Sequence, residues 1–140
     1  MAKLLREKFT ACARNSTITD AFLNGGYAAR YTTGGDPSNA KPAVTLVGSA
    51  ADALEVVGEI KGALNSDTVT VQTCGIMHFR TTASIADINA AIGQGVWALD
   101  GTSSGLVENS GTVGTGFGRI IGAETIGTQN YYVVDADANG

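Results

Sequence analysis

The stretch LEVVGEIKGALNSDTVTVQTCGIMHFR, residues 54–80, decides the fold class of this 140-residue chain. Its first half places an apolar residue or a glycine at every second position, the period of a strand with one buried face. Alternation resumes from Thr68 to Arg80, with Gly75 as a predicted bulge. Between them, Asn65-Ser66-Asp67 is typical of a turn. The pattern predicts two long strands paired as a hairpin, the first burying Leu54, Val56, Gly58, Ile60, Gly62 and Leu64.

Two glycines within the first strand predict a local feature of the sheet. Gly58 and Gly62 stand where a side chain would otherwise point inward. Glycine in a strand interior marks a bend or a close approach of backbone. We therefore expect a tightly curved sheet at this strand.

Outside this hairpin, the chain predicts one short helix and several shorter strands. Ser84 and Asp87 have the spacing of a helix N-terminus, and Gly93 is a plausible stop. Glycine-rich turns separate strands predicted at Ala43–Val47, Val96–Leu99, Gly105–Val107, Gly118–Ala123 and Tyr131–Val134. Such spacing favours a mainly β protein, with a small β-barrel or sandwich-like domain, one short helix and an extended N-terminal arm.

The arm comprises residues 1–41, and the β-rich domain comprises residues 42–140. Leu5, Phe9 and Cys12 fall at i, i+4 and i+7, which predicts a helical stretch over residues 3–13. Ordering the arm costs more backbone entropy than its few apolar side chains return on burial. Either part of the arm orders, or a neighbouring chain supplies backbone hydrogen bonds by strand addition.

Charge is distributed unevenly between the two ends of the chain. Residues 1–30 hold five basic and two acidic side chains, a charge of +3, whereas residues 31–140 hold four basic and eleven acidic ones, a charge of −7. An acidic body repels nucleic-acid phosphates, so we expect no direct nucleic-acid partner. No apolar run reaches the roughly 20 residues that cross a bilayer, so we expect no membrane partner. The basic leader either docks on an acidic partner surface or is solvated and inert.

The sequence contains few candidate catalytic or metal-binding residues. His78 is the only histidine and adjoins no nucleophile motif. Cys74 lies about 13 Å from it along an extended strand, too far to share a metal ion. We therefore expect no catalytic residue, no metal site and no cofactor. The loop from Gly114 to Arg119 lacks the spacing of a nucleotide fingerprint and is expected to be a turn. Residues 135–140 match the first six positions of a calcium loop, with a frayed acidic tail as the alternative.

Several aromatic residues occur at strand spacing among aliphatic ones. This placement favours packing in the core or at a subunit interface over a ligand-stacking platform. The residues are Trp97, Tyr131, Tyr132, Phe79 and Phe117.

The arrangement over residues 42–123 resembles the capsid cement, or head decoration, proteins of tailed bacteriophages. The matching features are Pro42-Ala43-Val44-Thr45-Leu46, the segment from Ala51 to Ile60, the Val69–Arg80 strand, Gly93-Gln94-Gly95-Val96-Trp97 and Gly118-Arg119-Ile120-Ile121-Gly122-Ala123. The resemblance implies a small β-rich domain on the outer capsid surface of a virion. Its implied partners are the major capsid protein and further copies of itself, with a trimer favoured over a dimer.

We therefore expect a structural protein that is not an enzyme and that stabilises contacts between major capsid subunits. The expected capsid-binding arm has Leu4, Leu5 and Phe9 as apolar anchors, with Lys3, Arg6, Lys8 and Arg14 as charge partners. One alternative is another phage structural component, of the tail or a head fibre. A second is a small-molecule or glycan-binding β module, and an enzyme using His78 is the third.

Overall fold

The computed structural model describes residues 7–32, 42–48, 56–99 and 104–136. Strands dominate these ranges. In chain order they are β1 (Lys8–Arg14), β2 (Tyr27–Tyr31), β3 (Ala43–Leu46), β4 (Gly58–Asn65), β5 (Thr68–Cys74), β6 (Ile76–Thr81), β7 (Gln94–Ala98), β8 (Val107–Val113), β9 (Arg119–Ile126) and β10 (Gln129–Asp135). Helix α1 (Ile85–Ala90) follows β6, and a short 3-10 helix (Asp20–Leu23) follows β1. The prediction of a mainly β protein with a small barrel and one short α-helix is confirmed.

The first five strands form a closed barrel in the order β1-β3-β2-β4-β5. β1 runs parallel to β3, and the other pairs, including the β1–β5 pair that closes the barrel, are antiparallel. Closure removes the free edges that an open five-stranded sheet would expose. The barrel core consists of Cys12, Ile18, Ala29, Val44, Leu46, Ile60, Val69 and Val71.

Residues 8–31 do not behave as the predicted arm. Lys8–Arg14 is a strand and not part of a helix over residues 3–13, and Tyr27–Tyr31 is a second barrel strand. β1 pairs with β5 at six positions, from Lys8 to Ala13. Strand addition by a neighbouring chain was one of the two predicted alternatives, but in β1 the backbone hydrogen bonds come from β5 of the same chain.

Local sequence could not reveal β1, since its partner strand lies far along the chain. The apolar spacing of Phe9 and Cys12 fits a helix, yet alternate residues of β1 face the barrel core: Cys12 is fully buried, whereas Ala11 is exposed. Tertiary pairing overrides such weak local preferences. Residues 1–6 and 33–41, and with them the predicted domain boundary, lie outside the described residues.

The β4–β5 hairpin follows the prediction at its centre. Ile60 lies opposite Val71, and the backbone N–H of Asp67 donates to Oδ1 of Asn65 in the turn, at 2.9 Å. The expected close approach of backbone occurs at Gly58, where a Cβ atom would lie 2.0 Å from the carbonyl oxygen of Gln72. No other residue fits at this position without moving the neighbouring strand.

The far end of β4 departs from the predicted pattern. The pairing register shifts between Ile60 and Gly62, and again between Ala63 and Asn65. From Ala63 to Asn65 every residue of β4 is exposed, so both faces of the strand are open at this end. Leu64, predicted to be buried, is 64% exposed.

The second predicted long strand is two strands. The chain bends at Gly75, where φ is 100°, so β5 stays in the barrel and β6 enters a separate antiparallel sheet with the order β6-β10-β9. Only β5 therefore pairs with β4 as a hairpin. The predicted bulge is the point where the chain leaves the barrel.

The second half of the molecule has its own core. β7 and β8 form a two-stranded sheet, and α1 contributes Ile88. The hydroxyl of Ser84 accepts a hydrogen bond from the Asp87 N–H at 3.2 Å, so the predicted helix start is confirmed. The largest buried side chains of this core include Phe79, Met77, Ile120 and Tyr132. Within the described ranges, no helix has the length and apolar character needed to cross a membrane.

Candidate interaction surfaces

A buried carboxylate joins the barrel to the three-stranded sheet. Glu59 on β4 is only 3% exposed, and its two oxygens accept hydrogen bonds from backbone groups of other segments. Oε1 accepts from the His78 N–H at 3.0 Å, and Oε2 accepts from the Gly26 N–H at 2.9 Å. Lys61 Nζ lies 3.1 Å from Oε2 and supplies the balancing charge. A buried carboxylate needs such partners, because losing its hydration is costly.

Gln72 on β5 lies opposite Glu59 and extends this connection. Its Nε2 donates to the carbonyl oxygens of Cys74 and Ile76, at 3.0 and 3.1 Å. Farther along β6, the Arg80 N–H donates to the Gly26 carbonyl at 2.8 Å. Backbone groups of residues 76, 78 and 80 on the outer edge of β6 are thus hydrogen-bonded to barrel groups. The sequence analysis did not single out Glu59 or Gln72; the available signal was a Glu and a Gln near the open end of the predicted hairpin, where the structure pairs them.

The expected capsid-binding residues fall into three groups. Lys3, Leu4, Leu5 and Arg6 lie outside the described residues. Lys8 and Phe9 are exposed at the start of β1, and the Phe9 side chain is 51% exposed. Arg14 is used within the fold, because its Nε donates to the Ile18 carbonyl at 2.6 Å and its Nη2 donates to Asp20 Oδ1 at 2.9 Å. The structure therefore keeps Lys8 and Phe9 together as accessible groups.

The backbone N–H groups of β1 point alternately to the two sides of the strand. The Arg14 N–H points toward the hairpin turn, to Asp67, whereas the Ala13 N–H points the other way, to Pro42. Strand geometry places the N–H groups of Phe9 and Ala11 on the same side as that of Ala13. On that side, the pairing that the described residues show is between Ala13 and Ala43 and between Arg14 and Val44.

A polar cleft lies between α1 and β8, with two carboxylates, Asp87 and Glu108, on its walls. Tyr132 forms part of its lining. Burial raises the pKa of Tyr132 above its ordinary value, while hydrogen bonds with Thr81 and Asn109 act in the opposite direction. Among the described residues, no group of three or more His, Cys, Asp or Glu side chains converges on a metal position. The cleft thus has negative charge without a built ion site.

The residues considered for chemistry are dispersed or used in the fold. His78 Nε2 lies 2.6 Å from Glu124 Oε2, in a pair on the sheet surface. Of the two cysteines, Cys12 is buried and Cys74 is partly buried. The Gly114–Arg119 segment packs as a turn against β7, where Phe117 pairs with Val96. Asp135 ends β10, Ala136 donates its N–H to the Gly75 carbonyl, and residues 137–140 of the calcium-like sequence lie outside the described residues.

Most of the aromatic residues pack as predicted. Phe79 and Tyr132 are buried in the second core, and Phe117 packs edge-on against Phe79, with ring centroids 6.0 Å apart. Tyr131 is 7% exposed on the opposite face of the sheet. Trp97 on β7 is half-buried.

No family model, curated protein or solved structure matches this chain. Two surfaces of the described residues combine charge with aromatic character on regular strands: Lys8 with Phe9 on the barrel, and Arg80 with two tyrosines at the junction with the sheet.

Proposed function

We propose that this protein is a capsid decoration subunit that binds the exterior of an assembled phage head and stabilises contacts between major capsid subunits. The observation that carries the proposal is the half-exposed Phe9, next to Lys8, at the start of a strand held in a closed barrel. In the chain, Lys3-Leu4-Leu5-Arg6 precedes these two residues, with Glu7 between. The resemblance of residues 42–123 to cement proteins supports the same role.

The energetics of this surface favour binding to a repetitive partner. Burying the remaining surface of a half-exposed phenylalanine contributes about 1 kcal/mol, which is too little for stable association alone. Holding Phe9 on a barrel strand lowers the entropy lost when it docks. Many copies on one shell, each joined to its neighbours, raise the effective concentration of every contact. A homo-oligomer, with a trimer favoured, is therefore part of the proposal.

Cosedimentation with purified, undecorated heads of the phage from which the gene derives tests this role. We expect the full chain to pellet with the heads, and Phe9→Ala to pellet markedly less. Leu64→Ala is the matched control, since Leu64 is also an exposed apolar side chain on a barrel strand. It lies near the turn of the β4–β5 hairpin, whereas Phe9 pairs with Gln72 at the open end of that hairpin. Binding by Leu64→Ala should equal that of the unsubstituted chain.

Absence of the full chain from the head pellet would refute the proposal. Labelled protein found on tails or fibres by electron microscopy would instead support the other phage structural role. The molecular mass in solution is an independent check of self-association. A protein that is monomeric both in solution and on the shell would show that self-association is not part of the mechanism.

A further inference from the structure

Arg80 on β6 is held between aromatic rings from two different parts of the fold. Its guanidinium carbon lies 4.6 Å from the ring centroid of Tyr27 on β2 and 5.5 Å from that of Tyr131 on β10. Both distances are within the range of a cation–π interaction. The side chain therefore spans the junction between the barrel and the three-stranded sheet in a fixed orientation.

A hydrogen bond holds Nε of the Arg80 guanidinium, and the two terminal nitrogens can still donate to a ligand. Arg80 Nε donates to the Gly25 carbonyl at 2.9 Å. Neither terminal nitrogen has a protein acceptor within the described part of the chain, and neither is among its fully buried unpaired atoms. The two terminal nitrogens therefore reach solvent while the rest of the side chain is anchored.

The fold is built locally around this side chain. Gly26 has a φ of +86°, and a Cβ atom there would lie 2.8 Å from both Arg80 Cγ and Tyr131 Cε1. The same glycine is hydrogen-bonded through its N–H to Glu59 and through its carbonyl to the Arg80 N–H. The Gly25-Gly26 turn thus makes the space in which Arg80 packs.

We propose that Arg80, framed by Tyr27 and Tyr131, is a recognition site for a carboxylate side chain, Asp or Glu, of a partner protein. An arginine presents a planar fork of donors that matches the two oxygens of a carboxylate. Anchored arginines and tyrosines supply much of the energy of protein interfaces, because little side-chain entropy is lost on binding. This inference does not depend on the proposed capsid role.

The local charges favour a carboxylate over a phosphate. Arg80 is a single positive charge. Glu59, which is hydrogen-bonded to the Gly26 N–H beside Arg80, is already paired with Lys61. On the same face of the sheet, His78 is paired with Glu124. One carboxylate balances one guanidinium, whereas a phosphate would bring additional negative charge close to two glutamates.

Nuclear magnetic resonance of the full, isotope-labelled chain tests the site, with an end-blocked tetraglutamate peptide as the probe. We expect the Arg80 Nε–H signal to shift saturably with tetraglutamate and to stay unchanged with tetraglutamine. Arg80→Lys keeps the charge but loses the fork, and should weaken peptide binding about tenfold. Arg119→Lys, at an exposed arginine of the same sheet, is the matched control and should bind like the unsubstituted chain.

Three results would overturn the proposal: an Arg80 signal that tetraglutamate does not move, equal weakening by Arg119→Lys, or a larger response to inorganic phosphate than to the peptide. The titration of the unsubstituted chain decides the question even where Arg80→Lys loses its fold. Failure of capsid binding with an intact Arg80 response would separate this site from the proposed function.

Discussion

Glu59 shows how one side chain determines the relation between the two halves of the molecule. Its carboxylate accepts hydrogen bonds from the backbone of Gly26 in the barrel and of His78 in the adjoining sheet. A strand edge normally finds such acceptors on another strand. Here, a side chain takes the place of the missing neighbour of β6.

Replacing Glu59 with glutamine should therefore destabilise the fold. An amide has one acceptor oxygen, so its NH₂ group would face a backbone donor that had been paired. We expect a loss of about 1.5–3 kcal/mol in the free energy of unfolding, measured by urea denaturation. Glu124→Gln is the control, because Glu124 pairs with His78 at an exposed site and should change stability by less than about 1 kcal/mol. Equal effects of the two substitutions would contradict the assigned role of Glu59.

Stability should also depend on pH in the alkaline range. Burial raises the pKa of Cys12 above its ordinary value of 9.0, and burial likewise raises those of Tyr31 and Tyr132 above 10.0. The unfolded chain then loses these protons first and binds fewer protons than the folded chain, so the free energy of unfolding falls as pH rises. The fall should begin near pH 9.0 from Cys12 and steepen near pH 10.0 from the tyrosines.

Urea denaturation at several pH values between about 8 and 11 measures this dependence. Cys12→Ala should remove the earliest part of the fall and Tyr132→Phe part of the later one, whatever their effect on stability at neutral pH. An unchanged slope in both variants would show that other groups cause the alkaline loss.

At the scale of elements, the β4–β5 hairpin depends on one close approach of two strands. Gly58 lies against the backbone of Gln72, and any side chain at this position meets main-chain atoms that cannot rotate away. The strands must therefore separate or shift to admit a larger residue. This constraint belongs to the pair of strands, since neither one alone requires glycine.

Gly58→Ala should consequently cost at least about 2 kcal/mol of unfolding free energy. The matched control is Gly122→Ala on β9, where a Cβ atom would meet nothing within 4 Å and the backbone has no positive φ. Thermal unfolding should show a clear fall in midpoint for the first variant and almost none for the second. A tolerated alanine at Gly58 would mean that the strands are farther apart than described.

At the scale of the whole molecule, the barrel is joined to the second core by residues from the first half of the chain that pack in that core, as well as by polar contacts. Ala28 in β2, together with Val47 and Val56, lies in the first half of the chain but packs in the second core. The Glu59 and Gln72 side chains connect the same two regions. Opening one region therefore exposes buried groups of the other.

This coupling predicts a single cooperative unfolding transition. In differential scanning calorimetry, the calorimetric and van't Hoff enthalpies should agree, as they do for most single domains of this size. The corresponding control is Glu59→Gln, which weakens the connection and should lower the ratio of van't Hoff to calorimetric enthalpy. Two resolved transitions in the unsubstituted chain would contradict the coupling.

The sequence by itself determined the β class, the hairpin centre, the short helix and its capping serine, because each depends on neighbours within a few residues or on a period of two. It could also indicate the close approach at Gly58 and the bulge at Gly75. These signals are local, so they do not depend on contacts with distant parts of the chain.

Only the tertiary structure decided that β1 is a barrel strand, that β6 leaves the barrel, and that Arg14 is used internally while Arg80 is presented by two tyrosines. The outcomes for β1, β6 and Arg80 depend on groups distant in the chain: β5 for β1, Glu59 for β6, and Tyr27 with Tyr131 for Arg80. The partners of Arg14, Ile18 and Asp20, are near in the chain but meet it only in the turn that follows β1. Strand pairing and side-chain stacking acquire their free energy only when those partners meet, so no local pattern encodes them.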